Sequence, residues 1–87
     1  MIIRYSDKAT KQLKRILKGS RPSALDIIAT IEAYGENPLG NFDVKLLKGN
    51  YGDFKRLRVG QYRIIFDEMN QVMTIFEIKH RQEAYHD

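Results

Sequence analysis

Two stretches of this sequence, residues 56–63 and 79–85, concentrate side chains that can act on a phosphate ester. Metal-free cleavage of RNA needs a base that takes the proton from a 2′-hydroxyl, cations that stabilise the dianionic transition state, and an acid that protonates the leaving 5′-oxygen. Among the side chains that suit these steps are cations, the imidazole of His80 and the phenol of Tyr85. These residues are Arg56, Arg58, Arg63, Lys79, His80, Arg81 and Tyr85. The residue types therefore indicate chemistry on nucleic-acid phosphates.

The candidate residues suit different steps of that chemistry. Arg56, Arg63 and Arg81 suit transition-state stabilisation, because a guanidinium stays charged and binds phosphate through two parallel hydrogen bonds. His80 suits proton transfer, because its ordinary pKa lies near neutrality. Tyr85 can stack on a base or transfer a proton, although its high ordinary pKa makes it a poor base unless nearby cations lower it. The alternatives are that His80 packs at a strand end and that Tyr85 covers a sheet edge.

A metal site is not predicted. The chain has no cysteine and two histidines, His80 and His86, without supporting carboxylates or thiols nearby in the sequence. A typical zinc site needs three or four such ligands. We therefore expect neither a metal nor another cofactor, and the missing cysteines also exclude a disulfide scaffold.

The composition predicts one small basic domain over residues 1–87, with 15 Lys and Arg against 11 Asp and Glu and a net charge of +4. A basic domain of this size often binds a polyanion, either nucleic acid or an acidic protein segment. No stretch approaches the roughly 20 apolar residues that a membrane span needs. The apolar run at Met1–Tyr5 is too short for a signal peptide, so we expect a cytoplasmic protein without a membrane partner.

The first half of the chain predicts a strand and two helices. Ile2 to Tyr5 is the predicted strand, and Ser6 caps a helix that ends at Gly19. The second helix has Pro22 in its first turn and ends at Gly35. The predicted core-facing positions are Ala9, Leu13, Ile16 and Leu17 in the first helix, and Leu25, Ile28, Ala29 and Ile31 in the second, with Ile27 and Tyr34 on the flanks.

In the second half the apolar period changes from 3.6 to 2, which predicts strands. The predicted strands are Val44 to Leu47, Asp53 to Val59, Gln61 to Asp67 and Val72 to Lys79, with turns at Gly49–Gly52, at Gly60 and at Glu68 to Gln71. The order β-α-α-β-β-β-β predicts an α+β domain. Its N-terminal strand and antiparallel two-helix hairpin pack on an antiparallel sheet.

Burial of apolar residues predicts the register of the central hairpin. Leu57 and Tyr62 belong on the helix-covered face, and pairing them leaves a Val59-Gly60 turn. That register places Arg56 directly opposite Arg63. Like charges in this position destabilise a sheet by up to about 1 kcal/mol, which is understandable if a polyanion neutralises them. The alternatives are that the two arginines diverge or pair with acids on neighbouring strands, and that a glycine bulge shifts the pairing.

The last strand is expected to pair with Gln61 to Asp67. Its end then lies near the start of that strand, beside Arg63. This arrangement brings Lys79, His80 and Arg81 to the same surface as Arg63.

The segments KRLRVGQYRIIFDE and HRQEAY resemble the RelE/ParE toxin superfamily, and the preceding strand–helix–helix order fits it as well. The resemblance implies a RelE-like fold and a toxin that a cognate antitoxin protein holds inactive. In the RelE branch the toxin enters the ribosomal A site and cuts mRNA. In the ParE branch the toxin is thought to inhibit DNA gyrase without cutting RNA.

The resemblance also implies roles for individual residues. Arg63 matches the essential arginine of the Tyr-Arg pair, and Tyr85 matches the C-terminal tyrosine used in positioning and catalysis. Arg56 falls at a position that is basic in the superfamily. Either Lys79 or Arg81 can match the arginine that the superfamily has shortly before its C-terminal tyrosine. One departure is Phe54, which stands where a basic residue often lies.

Arg63, His80, Arg81 and Tyr85 occur together here, whereas the ParE branch tends to lack the full catalytic set. We therefore favour a ribosome-dependent mRNA endonuclease over a gyrase inhibitor. The predicted catalytic residues are Arg56, Arg63, His80, Arg81 and Tyr85, and the predicted contacts to RNA and ribosome are Lys45, Lys48, Lys55, Arg58 and Lys79.

Overall fold

Two helices cover one face of a five-stranded sheet in the computed structural model, which describes residues 1–47 and 54–84. The elements in chain order are β1 (Ile2–Tyr5), α1 (Asp7–Gly19), α2 (Arg21–Glu36), β2 (Val44–Leu46), β3 (Lys55–Val59), β4 (Tyr62–Met69), β5 (Val72–His80) and α3 (Arg81–Ala84). The predicted α+β class is confirmed. The predicted turn at Gly49–Gly52 lies outside the described residues.

The strand order is β1-β5-β4-β3-β2. Strands β2 to β5 form the predicted antiparallel meander, and β1 pairs in parallel with β5. The sheet is therefore mixed rather than antiparallel throughout. The helical hairpin carries the chain from β1 at one edge to β2 at the other, and the meander then returns to the first edge, where β5 lies beside β1.

Ser6 and Ser20 define the ends of the helices. The hydroxyl of Ser6 accepts a hydrogen bond from the backbone N–H of Ala9 at 3.0 Å, as predicted for an N-cap. Ser20 has two functions. Its backbone N–H donates to the carbonyl of Ile16 at 2.7 Å and closes α1, and its hydroxyl accepts from the N–H of Ser23 at 3.4 Å and caps α2. One residue thus joins the two helices.

The predicted core-facing stripe of α2 is confirmed at Ile31 and wrong at Leu25 and Ala29, because the buried face is rotated about the helix axis. The buried residues are Ala24, Ile27, Ile31, Tyr34 and Gly35. The predicted Leu25 is 49% exposed and Ala29 is exposed as well. The helix carries two overlapping apolar stripes, and the stripe containing Tyr34 packs because its ring meets Phe66 in the sheet, with centroids 5.2 Å apart.

Gly35 does not end α2, which continues to Glu36 with Asn37 as its C-cap. Gly35 is buried, and a Cβ added there would lie 3.1 Å from Cδ1 of Ile3. Its small size therefore permits the close approach of α2 to β1.

The faces of the central strands follow the prediction, but the register does not. Leu57 pairs with Ile64, and both are buried on the helix-covered face. The turn is Gly60-Gln61 rather than Val59-Gly60, and Gly60 has φ 57°. Val59 is unsuited to positive φ because it is β-branched, and it pairs with Tyr62 instead. The shift of two positions leaves every side chain on its predicted face and changes its cross-strand partner.

Helix α1 takes over the edge of β5 where β1 ends. The hydroxyl of Ser6 donates to the carbonyl of Phe76 at 2.8 Å, and the side-chain oxygen of Gln12 accepts from the N–H of Ile78 at 2.7 Å. These bonds satisfy backbone groups that a strand would otherwise pair. They hold α1 against the C-terminal half of β5, where the candidate site lies.

Candidate nucleic-acid interface

Three cations lie in register across β3, β4 and β5, on the face of the sheet away from α1 and α2. Arg58 pairs with Arg63, and Arg63 pairs in turn with Lys79. Their neighbours Leu57, Ile64 and Ile78 are buried on the helix-covered face, so period 2 places the three cations on the open face. We name Arg58, Arg63 and Lys79 the cation row.

The predicted pair of Arg56 with Arg63 is wrong. Arg56 lies opposite Ile65 on β4 and opposite Lys45 on β2, because the hairpin turn falls one residue later than predicted. Arg56 is 8% exposed, and its Nη2 lies 3.1 Å from Oδ1 of Asp43. Its guanidinium therefore already has a carboxylate partner within the protein, whereas Lys45 is exposed.

An aromatic pair lies on the open face, with the level of Arg56, Ile65 and Glu77 between it and the cation row. The rings of Phe54 and Phe76 have centroids 4.8 Å apart, and both side chains are half-buried. Phe76 lies next to a register shift between Ile65 and Phe66. Stacking on aromatic rings is a sequence-tolerant way to bind nucleobases. The position where the superfamily often has a cation thus contributes an apolar platform here.

The predicted location of His80 beside Arg63 is wrong. His80 pairs with Tyr62, and the two rings lie perpendicular with centroids 5.2 Å apart on the helix-covered face. Strand β5 extends through His80, one residue further than predicted. Strict alternation therefore puts Lys79 on the open face and His80 behind it. Its Nδ1 accepts a hydrogen bond from the N–H of Gln82 at 3.2 Å.

Lys55 also lies away from the cation row. It pairs with the buried Phe66, and its Nζ lies 3.3 Å from Oε1 of Glu68. The hydroxyl of Tyr34 donates to the same carboxylate oxygen. Burial, together with this bond and the charge of Glu68, raises the pKa of Tyr34 above its ordinary range. Lys55 thus belongs to a polar cluster under α2.

The C-terminal segment is held next to the central hairpin. Arg81 is exposed and opens α3, and its backbone N–H donates to the carbonyl of Gln61 at 2.5 Å. Because Gln61 precedes β4 directly, this bond keeps Arg81 at the end of the sheet where the cation row lies. The predicted site residues Lys48 and Tyr85 lie outside the described residues.

Sequence reasoning missed two features of this region. One is Asp43, the partner of Arg56, whose position just before β2 gave no local signal. The other is a cavity behind the cation row that Tyr62 and His80 help to line. Over residues 1–47 and 54–84 no three potential ligands among His, Cys, Asp and Glu lie close enough to hold a metal ion. In the same ranges no helix has the length and apolarity to cross a membrane.

Comparison with known proteins agrees with this fold. Residues 3–85 match the family described as ParE toxin of type II toxin-antitoxin system, parDE. A chain of the heterotetrameric YoeB–YefM toxin–antitoxin complex from Staphylococcus aureus superposes with a TM-score of 0.78 at 17% identity, covering 92% of this chain and 95% of that one. No curated protein matches the sequence significantly.

Two further structures have the same fold. A chain of the RelB–RelE antitoxin–toxin complex from Methanococcus jannaschii has a TM-score of 0.68 at 25% identity, and 95% of each chain is covered. A chain of the DinJ–YafQ complex from E. coli has a TM-score of 0.78 at 13% identity, covering 95% of this chain and 96% of that one.

The chain belongs to the ParE toxin family of type II toxin–antitoxin systems, because the family match extends over nearly its whole length. It is a toxin of such a system, and the predicted resemblance to the RelE/ParE superfamily is confirmed.

Proposed function

We propose that this toxin is a ribosome-dependent mRNA endonuclease that binds RNA phosphates along the cation row. The observation that carries the proposal is the direct pairing of Arg58 with Arg63 and of Arg63 with Lys79 on the open face. Like charges directly opposite one another destabilise a sheet. Within the protein, Nζ of Lys79 lies 3.7 Å from Oε1 of Glu77. A bound polyanion would add to this neutralisation along the row, and the ring pair of Phe54 and Phe76 on the same face offers a surface for bases.

The proposed reaction is attack of an RNA 2′-hydroxyl on the adjacent phosphorus. The P–O5′ bond breaks, the products are a 2′,3′-cyclic phosphate and a 5′-hydroxyl, and one proton moves from the 2′-oxygen to the leaving oxygen. We assign transition-state stabilisation to Arg63, at the centre of the row, and to Arg81 at its end. The ribosome supplies alignment of the mRNA, so the toxin needs few groups of its own.

Proton transfer is assigned to Tyr85, which the superfamily resemblance favours. His80 faces the other side of the sheet and so does not lie beside a phosphate on the cation row. Arg56 is assigned a supporting role through Asp43, since its side chain is nearly buried and already paired. Lys45, at the β2 side of the open face, is proposed to contact RNA or ribosome. The same contact is proposed for Lys48 from the sequence.

We propose a cognate antitoxin as the physiological partner. The solved structures with this fold include YoeB–YefM, RelB–RelE and DinJ–YafQ complexes. An antitoxin segment with acidic residues would neutralise the cation row and block RNA there. The toxin would act in the cytoplasm, where translating ribosomes are found.

The test is addition of purified toxin to ribosomes translating a defined mRNA, with cleavage mapped by primer extension. We expect cuts within the A-site codon. Arg63→Ala should slow cleavage by about 10²–10³-fold, the usual effect of removing one preorganised transition-state contact. The matched control is Arg21→Ala, an exposed arginine at the start of α2, which should cleave at the wild-type rate. Intact mRNA at high toxin excess would refute the proposal.

A second candidate is inhibition of DNA gyrase, which the family match to ParE toxins favours. It predicts trapped double-strand breaks when toxin, gyrase and supercoiled DNA are incubated together. Such breaks, combined with intact mRNA in the ribosome assay, would establish inhibition of gyrase in place of RNA cleavage.

A further inference from the structure

A cavity of about 410 Å³ lies on the helix-covered side, behind the cation row. It opens between the C-terminal half of α1 and the ends of β4 and β5. The lining residues are Gln12, Arg15, Ile16, Gly19, Ser20, Tyr62, Ile78 and His80. Its volume falls in the range of small-molecule sites, about 300–1,000 Å³. A side-chain atom added at Gly19 would meet nothing within 4 Å, so this wall is open.

The polar groups around the cavity are mainly hydrogen-bond donors. The side-chain oxygen of Gln12 already accepts the N–H of Ile78 at 2.7 Å, which leaves its NH2 group to donate. Nδ1 of His80 accepts from the N–H of Gln82 at 3.2 Å, which leaves Nε2 as the ring nitrogen available to donate. Arg15 adds a guanidinium that has no acceptor capacity. A ligand that fits these groups must bring acceptors, and the charge of Arg15 favours an anion.

The remaining walls suit a flat ring. Tyr62 and His80 meet edge to face, with centroids 5.2 Å apart and an interplanar angle of 90°. Ile16 and Ile78 add apolar surface. Aromatic side chains bind nucleobases by stacking, and cations bind their phosphates. The cavity therefore combines a surface for a heteroaromatic base with donors for its carbonyl oxygens and a cation for its phosphate.

We propose that this cavity binds a nucleotide, with the base against Tyr62 and His80 and the phosphate at Arg15. The inference rests on the proposed function for the source of that nucleotide, which is a unit of the bound RNA. Tyr62 directly precedes Arg63 in β4, and His80 directly follows Lys79 in β5. An RNA strand that passes around the ends of these two strands moves from the cation row on one face to the cavity on the other.

The first test uses uridine 5′-monophosphate and adenosine 5′-monophosphate as probes of the purified toxin, followed by NMR. We expect saturable shifts of the Gln12 side-chain amide and the His80 imidazole. Inorganic phosphate or uridine alone should bind at least about tenfold more weakly, since each makes only part of the contacts. Shifts absent at millimolar nucleotide, or equal for phosphate and nucleotide, would overturn the proposal.

Arg15→Gln should weaken nucleotide binding by about tenfold, the loss expected for a charge-assisted hydrogen bond. The matched control is Lys11→Gln, which removes the same charge from the same helix outside the cavity lining and should change binding by less than about twofold. Equal losses of nucleotide affinity in both variants would show that the nucleotide is attracted to the overall positive charge of α1, and would refute a specific site in the cavity.

Binding of a short single-stranded oligoribonucleotide distinguishes two sources of the bound nucleotide, a unit of an RNA strand and a free nucleotide. If RNA spans both regions, Arg15→Gln and Arg58→Gln each weaken oligonucleotide binding, whereas only Arg15→Gln weakens mononucleotide binding. If Arg15→Gln leaves the affinity for the oligonucleotide unchanged, RNA is refuted as the source of the nucleotide. If the ribosome assay shows no cleavage but mononucleotides still bind, the proposed cleavage is refuted and the proposed nucleotide site is not. The two proposals can therefore be refuted separately.

Discussion

At the scale of single residues, Tyr34 connects helix α2 to the sheet through both its ring and its hydroxyl. The side chain is 3% exposed and packs against Phe42 and Phe66. Its hydroxyl donates to Glu68, which Lys55 also contacts at 3.3 Å. The ring packing and the polar contact are separable, because phenylalanine keeps the first and removes the second.

Tyr34→Phe should lower the free energy of unfolding by about 1.5–3 kcal/mol, the range for a hydrogen bond to a charged group. It should also change the pH dependence. The pKa of Tyr34 is raised in the folded state, so above about pH 10 the unfolded chain loses a proton that the folded chain keeps. Stability therefore falls with pH in that window, by at most about 1.4 kcal/mol per pH unit for one group. Tyr34→Phe should lack this contribution.

The measurement is urea unfolding at pH 7 and in steps up to pH 11. The control is Tyr62→Phe, which removes a phenol at the opposite end of β4 and leaves the contact with Glu68 in place. If Tyr34→Phe unfolds like the wild type at every pH, the hydroxyl does not stabilise the fold.

The sequence correctly indicated which face of the sheet a side chain lies on, but not which residue lies opposite it on the next strand. Period 2 correctly placed Arg63 and Leu57 on opposite faces. The prediction ended β5 at Lys79 and so did not apply this rule to His80, which alternation places on the opposite face from Lys79 once the strand extends through it. The partner of Arg56 was not predicted, because Asp43 meets it through the register of β2 against β3, which the sequence pattern did not define.

At the scale of elements, the two hairpin turns explain the register. The Gly60-Gln61 turn has positive φ at its first position only, which glycine tolerates. The Asn70-Gln71 turn has φ 53° and 64°, the pattern of a type I′ turn. Asn is common in that conformation, but Gln is not. The second turn therefore holds a residue in an unfavourable conformation, while the first does not.

Gln71→Gly should stabilise the protein by about 0.5–1 kcal/mol, because it relieves the left-handed strain that a side chain causes. The backbone carbonyl of residue 71 still accepts the N–H of Ile2, at 2.8 Å in the wild type. The same substitution in the other turn, Gln61→Gly, is the matched control and should destabilise, because only chain entropy changes there. Thermal unfolding of both variants checks the pair, and a loss of stability in Gln71→Gly would contradict the turn assignment.

The elements themselves were largely predictable because their signals are local. Ser6 and the apolar period gave α1, and alternation gave the strands. The prediction of the buried stripe of α2 was wrong at Leu25 and Ala29 because the helix has two overlapping apolar stripes. Which of them is buried depends on how the helix packs against the sheet. The predicted register of the central hairpin was wrong by two residues, because any even shift in strand pairing keeps the same side chains buried.

At the scale of the whole molecule, β1 shows what the sequence could not provide. Its identity as a strand was predicted, but its place beside β5 depends on the last strand of the chain. The consequence reaches the candidate site, because β1 ends at Tyr5 and leaves the edge of β5 to Ser6 and Gln12. The cavity behind the cation row is formed there, where the beginning and the end of the chain meet.

The distribution of charge over the molecule leads to a prediction about salt. Cations lie on the open face in the cation row and on the outer side of α1, so net charge alone does not say where RNA binds. Each phosphate contact on a single strand contributes about 0.7 to the slope of log K against log salt concentration. Arg58→Gln should therefore reduce the slope for a single-stranded oligoribonucleotide by about 0.7, and Lys11→Gln should leave it unchanged. Fluorescence anisotropy between low and physiological salt measures both. If Lys11→Gln reduces the slope and Arg58→Gln does not, RNA binds across the helices, and the open face is not the nucleic-acid interface.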